Sequence, residues 1–177
     1  MIFYPQKLYG DNQSPSVIEL MHLINLTNAK IEVENITSED TEKKSSLVQK
    51  TPTLTLPLLE TKDGNISETN AIKYYICQKY KPEMLGNSII ERGKVNQWVE
   101  FACNELNRCR QNIINNMYDS NNSCKEQSGK DEAKLKEYVK LLDKELEKNE
   151  FIVSDKITLA DITLFKYLLF LMCKHYP

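Results

Sequence analysis

The chain has 177 residues, 41% of them hydrophobic and 27% charged, with a formal net charge of −2. That length makes one domain or two small packed ones, with enough apolar content for a core, and the charge balance leaves no electrostatic footprint for nucleic acid. The five cysteines (Cys77, Cys103, Cys109, Cys124, Cys173) are odd in number and show neither C-x-x-C nor a metal-ligand spacing. With no secretory signal at the N-terminus they read as reduced thiols of a cytoplasmic protein. His22 and His175 are the two histidines, each without an acidic or cysteine cluster nearby, so no metal site and no histidine-based catalysis is expected.

Taken in order, Gln6 to Tyr9 predicts a short strand and Gly10 to Gln13 a loop. Ser14-Pro15 is a helix start, with Ser at the N-cap and Pro at N1, where its missing N–H costs nothing. Ser16 with Glu19 offers a competing capping box. Val17, Leu20, Met21 and Ile24 recur at helical spacing and carry the helix to about Asn28. Lys30 to Glu34 alternates and predicts a second strand. Residues 37–50 are polar and charged, a loop with room for one weak helical turn.

Leu54, Leu56 and Leu58 alternate and predict a half-buried strand. Pro57 cannot donate to a sheet ladder, so it reads as an edge proline. A cis Leu56–Pro57 bond, rare even before proline, would instead turn the Leu56 N–H and C=O toward a ligand. Asp63-Gly64 signals a tight turn, and Asn65-Ile66 leaves room for only a stub of return strand. Ser67-Glu68-Thr69 then opens a helix ending near Tyr80, with Ala71, Ile72, Tyr75 and Ile76 on its apolar side and Ser67 or Thr69 as its cap. Strand, helix, strand, strand, strand, helix, with room for one weak helical turn after the second strand, is the order of a thioredoxin-like domain, here residues 1–80.

Lys81 to Asn87, punctuated by Pro82 and Gly86, reads as a linker, and residues 88–177 as an all-helical domain. Ser88-Ile89-Ile90-Glu91 is a capping box. It opens a long helix with Val95, Trp98, Val99, Ala102, Leu106, Cys109 and Ile113 along one stripe. Asp119 to Gly129 is a polar loop. Ser128 and Asp131 are expected to cap the next helix, with Leu135, Tyr138, Val139, Leu142 and Leu146 inward. The mixed-sign charges of that helix read as a solvated face rather than an RNA-binding stripe. Thr158 and Asp161 form a reciprocal cap, with Ile157 and Ile162 as its hydrophobic staple. Leu159 to His175 is apolar on nearly every side yet too short and too charged for a membrane span, so a central core helix is expected.

Leu56-Pro57-Leu58-Leu59-Glu60-Thr61, Asp63-Gly64 and Ile66-Ser67-Glu68-Thr69-Asn70-Ala71-Ile72 together resemble the glutathione transferase signature. The resemblance spans nearly the whole chain. It implies an α+β glutathione transferase fold, a thioredoxin-like domain followed by an all-α domain, here C-terminally shortened. It also implies a cis Pro57, backbone pairing of Leu56 with the cysteinyl amide of glutathione, and Glu68 and Thr69 holding the γ-glutamyl carboxylate. A helix N-terminus suits that carboxylate. Tyr9-Gly10 followed by a short loop and Ser14 is similar to the serine classes of the family. There such a residue is catalytic, its hydroxyl favouring the glutathione thiolate; by its local sequence alone, Ser14 is an ordinary cap. Leu54 and Thr55 stand where the family commonly has Gly-Lys, and Thr69 stands for Ser, which weakens the implied site, so glutathione is not expected as a required cofactor.

Within the family, Asn70-Ala71-Ile72 with Tyr74-Tyr75, Gln97-Trp98-Val99-Glu100-Phe101-Ala102, and Phe151-Ile152-Val153 running into Ile157 to Thr163 resemble the gamma subunit of translation elongation factor 1. That likeness implies a non-catalytic docking module of the elongation factor 1 complex, with exchange subunits or aminoacyl-tRNA synthetases as partners and no direct nucleic-acid or membrane binding. The alternatives are a glutathione transferase and a transferase-like domain fused to or associated with a synthetase. The long helix and its successor often form a dimer surface in the family, so a homodimer is one implied assembly.

Overall fold

The computed structural model describes residues 5–118 and 125–175. They divide into two compact units, Met1–Pro82 and Glu83–Pro177. The division falls inside the expected linker, which carries a 3-10 turn at Pro82–Leu85.

In the first unit β1 (Gln6–Gly10), α1 (Pro15–Thr27), β2 (Ile31–Asn35), α2 (Thr41–Val48), β3 (Leu58–Thr61), β4 (Gly64–Ser67) and α3 (Thr69–Tyr80) follow one another. The sheet order is β2-β1-β3-β4, with β1 parallel to β2, and β3 antiparallel to both β1 and β4. Opposed residues share a face. Tyr9 and Leu58 are opposed and bury against Ile36 and against Leu47 of α2. Leu8 and Leu59, the next opposed pair, are fully buried on the other face. There α1 and α3 pack on each other, with Val17, Leu20, Leu23, Ile72, Ile76 and Cys77 withdrawn from solvent.

Four local expectations are corrected here. The strand read from Leu54 begins only at Leu58, because Leu54 has a left-handed backbone (φ 54°) and Pro57 has no N–H to give the ladder. The return strand is four residues long, and the hairpin turn is Lys62-Asp63 with Gly64 already paired to Thr61. Thr61 Oγ1 fixes that turn, donating to the Gly64 carbonyl (2.7 Å) and accepting from the Asp63 N–H (3.2 Å). Residues 41–48, read as loop, form α2, because Asp40 Oδ2 accepts from the Thr37 N–H and hydroxyl at its entrance and Leu47 finds a core to enter. Ser16 lies inside α1, not at its cap, and Glu19 is buried, 4% exposed.

Its partner is Lys73 of α3. The Nζ to Oε1 distance is 2.6 Å, and the two side chains are 1% and 3% exposed. A buried pair of this kind adds little net stability over an apolar substitute, but removing one member costs about 3–5 kcal/mol because the other charge is stranded.

In the second unit α4 (Ile89–Phe101), a π turn (Ala102–Leu106) and α5 (Asn107–Tyr118) run on as one helix. Every residue of the predicted stripe is buried, none more than 9% exposed. Ser88 Oγ accepts from the Glu91 N–H (3.2 Å), while Glu91 reaches back to the Asn87 N–H (2.7 Å), one residue beyond the cap the box requires. Gly86 (φ 99°) lies under that first turn: a Cβ there would come within 2.7 Å of the Arg92 nitrogen and 2.8 Å of the Glu91 carbonyl carbon.

Of the expected loop, Asp119 to Cys124 lies outside the described residues, and Lys125 onward is already α6 (Lys125–Leu146). Ser128 and Asp131 therefore lie inside the helix, not at its start. Asp131 is 2% exposed and accepts from Asn112 of α5 at 3.0 Å, a use for a buried carboxylate that outcompetes a cap. Leu135 and Leu142 are buried as expected, but Leu146 is 44% exposed.

Half of the reciprocal cap expected at Thr158 forms, the Asp161 side chain reaching back, while the Thr158 hydroxyl donates to that carboxylate instead of accepting from the helix. Asp161 Oδ2 accepts from the Thr158 N–H and hydroxyl (both 2.7 Å), and its second oxygen accepts from the Ile152 N–H (2.9 Å). α7 (Leu159–His175) is not enclosed on every side. It packs on α4 and the π turn, burying Leu159, Ala160, Leu164 and Tyr167, while Phe165 and Leu169 are exposed. Cys77, Cys103 and Cys109 form no disulfide; Cys124 and the side chains of Cys173 and His175 lie outside what is described. No helix among the described residues is long and apolar enough to cross a membrane.

Candidate functional site

Strand direction gathers the candidate residues. Tyr9, Leu58 and Ser67 stand in one row across the sheet. β3 runs opposite to its two neighbours, so the next positions, Gly10, Pro57 and Glu68, emerge at the same end. Adjacent strands are about 4.8 Å apart, so the exits from β1 and β4 are separated by two such spacings. α1 and α3 both begin at that end, after four residues and after one residue respectively.

The Leu56–Pro57 bond is cis. Among the described residues no hydrogen bond engages the Leu56 N–H or carbonyl. Gly10 permits the close approach of β1 to this loop: a Cβ there would meet Val17 Cγ2 at 2.6 Å and Pro57 at 3.5 Å. A cleft of about 390 Å³ opens here, lined among others by Asp11, Ser14, Thr37, Lys44, Leu56 and Pro57.

Ser14 is the N-cap of α1 by position, but its hydroxyl makes no capping bond. The turn before it is closed instead by Asp11, whose carbonyl accepts from the Ser14 N–H (2.8 Å) and whose carboxylate accepts from the Gln13 N–H (2.8 Å).

Glu68, rather than Ser67 or Thr69, occupies the cap position of α3, and it makes no side-chain cap. Its φ of 71° is a conformation that costs a residue with a Cβ about 1–3 kcal/mol. Thr69 is the first helical residue. The first-turn N–H groups of α3 lack intrahelical partners, the usual receptor for a carboxylate. Glu68 and Thr69 do not line the cleft itself. A run of hydroxyls leads from it to them: Thr55 Oγ1 lies 2.9 Å from Thr53 Oγ1, which donates to Ser67 Oγ at 3.2 Å.

Two features escaped the sequence. Lys44 brings a cation to the cleft wall from α2, the helix read as loop; the acidic run Glu39-Asp40 ahead of Lys43-Lys44 was the available signal. Thr53 and Ser67 carried no signal, since their pairing is tertiary. Among the described residues no group of His, Cys, Asp and Glu is placed to hold a metal ion.

The family models for the glutathione S-transferase N-terminal and C-terminal domains match residues 5–78 and 113–174. Glutathione S-transferase F10 of Arabidopsis thaliana is 32% identical over 60% of this chain and 53% of its own length. Elongation factor 1-gamma 2 of Oryza sativa subsp. japonica is 26% identical over 89% of this chain and 38% of its own. The chain thus spans about half or less of these relatives. Among solved structures, a glutathione S-transferase I bound with lactoylglutathione superposes with a TM-score of 0.79 at 25% identity, covering 96% of this chain and 84% of that one.

Proposed function

This chain belongs to the glutathione S-transferase superfamily, and on that premise we propose that it is a non-catalytic docking module of the translation elongation factor 1 complex, working in the cytoplasm. The observation that carries the reading is the extent of the likeness: the rice elongation factor 1-gamma aligns through most of this chain, the Arabidopsis transferase through a shorter part. The site supports it as well. Leu54 and Thr55 supply no cation where transferases commonly have Lys, and Leu54 is 64% exposed with no charge to offer a carboxylate. The test is binding of the purified chain to purified elongation factor 1 exchange subunits, followed by size-exclusion chromatography and calorimetry. A stable stoichiometric complex is expected; no complex at tens of micromolar would sink the reading.

One observation favours a second reading, a glutathione transferase. The Ser14 hydroxyl, free of capping, faces a cleft that also holds Lys44. A hydroxyl donor at a helix N-terminus lowers a thiol's pKa and stabilises its thiolate. Conjugation of glutathione to an electrophile, lost in Ser14→Ala, would move the conclusion here. Absence of binding at millimolar glutathione would leave the docking module.

A further inference from the structure

Glu19 is the fifth residue of α1 and Lys73 the fifth residue of α3. Each therefore lies about 7 Å along its helix from the N-terminus, at a rise of 1.5 Å per residue. Their ion pair joins the two helices at equal depth, directly behind the ends that present Ser14 and Glu68-Thr69. A contact between apolar side chains could slide. A 2.6 Å bond between two groups no more than 3% exposed cannot slide without breaking where water does not reach to replace it.

We propose that the Glu19–Lys73 pair is a spacer that fixes the separation of the α1 and α3 N-termini, and so the fit of a ligand that must touch both. Both are positioning residues; neither faces the cleft. The inference rests on reading this end of the sheet as a site for a peptide thiol with a free carboxylate. It goes beyond that reading in naming what sets the span.

Removing one charge alone can unfold the domain, so the test uses the apolar pair Glu19→Leu/Lys73→Met, close in volume to the original. Hydrogen exchange is measured on the free protein, and calorimetry is run with glutathione and with γ-glutamylglycine, which has the γ-glutamyl end and no thiol. Expected are wild-type unfolding temperature within a few degrees, faster exchange confined to the first turns of α1 and α3, and glutathione affinity weaker by about ten-fold, with γ-glutamylglycine unchanged. Unchanged exchange at those turns overturns the spacer, whatever binds. Unchanged glutathione affinity overturns its positioning role. Equal weakening for both ligands overturns it too, as a general loss of order. If the wild type binds neither ligand, the reading of the site fails instead, and exchange alone decides the spacer.

Discussion

Glu19 in the first unit and Glu105 in the second each hold a lysine, in opposite surroundings. Glu19 has Lys73 at 2.6 Å, both withdrawn from water. Glu105, in the π turn, is 39% exposed and gathers the Tyr138 hydroxyl (2.6 Å), Arg108 (2.7 Å) and Lys134 (3.4 Å) on one oxygen. Tyr138 is braced edge-on by Phe101, which in turn meets Trp98. The Tyr138 hydroxyl, then Arg108 and Lys134, hold the Glu105 carboxyl down to about 2 from an ordinary 4.5. Counting partners would rank Glu105 as the stronger anchor. Burial reverses the order, because water screens and replaces exposed partners and cannot reach the others.

The largest effect that sharpens this contrast is Lys73→Ala. It removes the ammonium that faces the buried Glu19 carboxylate and should cost about 3–5 kcal/mol in urea unfolding; a loss below ~1 kcal/mol would mean that water reaches the pair. Asp161→Ala tests an intermediate case, a half-buried carboxylate with three donors, and should cost about 1–2 kcal/mol by loss of the cap. Tyr138→Phe removes one hydroxyl from the exposed hub and should cost about 1 kcal/mol. A cost equal to that of Lys73→Ala would break the comparison. Glu105→Gln should change neutral-pH stability least and act through pH. A carboxyl depressed in the folded state stabilises above its unfolded value and loses that contribution as pH falls through the folded one. The substitution should therefore flatten the acid limb between pH 4.5 and about 2, seen by thermal melts across that range.

What was legible in the sequence is what local chemistry determines. The stripe from Val95 to Ile113 needs only helical period and formed in full; the Thr158–Asp161 cap needs only residues three apart and formed in its Asp161 half. The candidate residues Ser14, Leu56, Pro57, Glu68 and Thr69 lie at the same end of the sheet because strand order brings them there, with only the first three lining the cleft. The failures share a cause. Lys73 stands outside the apolar positions Ala71, Ile72, Tyr75 and Ile76 of its helix, and nothing within a few residues announces Glu19. α2 reads as loop because its one apolar anchor, Leu47, is meaningful only beside Tyr9 and Leu58. Ser14 takes the cap position its local sequence assigned, but its hydroxyl makes no cap bond. The π turn has no pattern of its own, since the stripe passes through it unbroken.

Gly86 has a consequence for heritable variation. Any amino-acid replacement from a glycine codon adds a side chain, and at Gly86 even the smallest meets the backbone of Glu91 and Arg92 at under 3 Å, in a conformation that side chains rarely adopt. Gly93 and Gly129, with nothing within 4 Å of an added Cβ, carry no such steric constraint. A population sampling all three codons should keep diversity at 93 and 129 and purge it at 86. The entrance to α4 would then be among the most invariant points of the gene, although Gly86 contributes no functional group to any site.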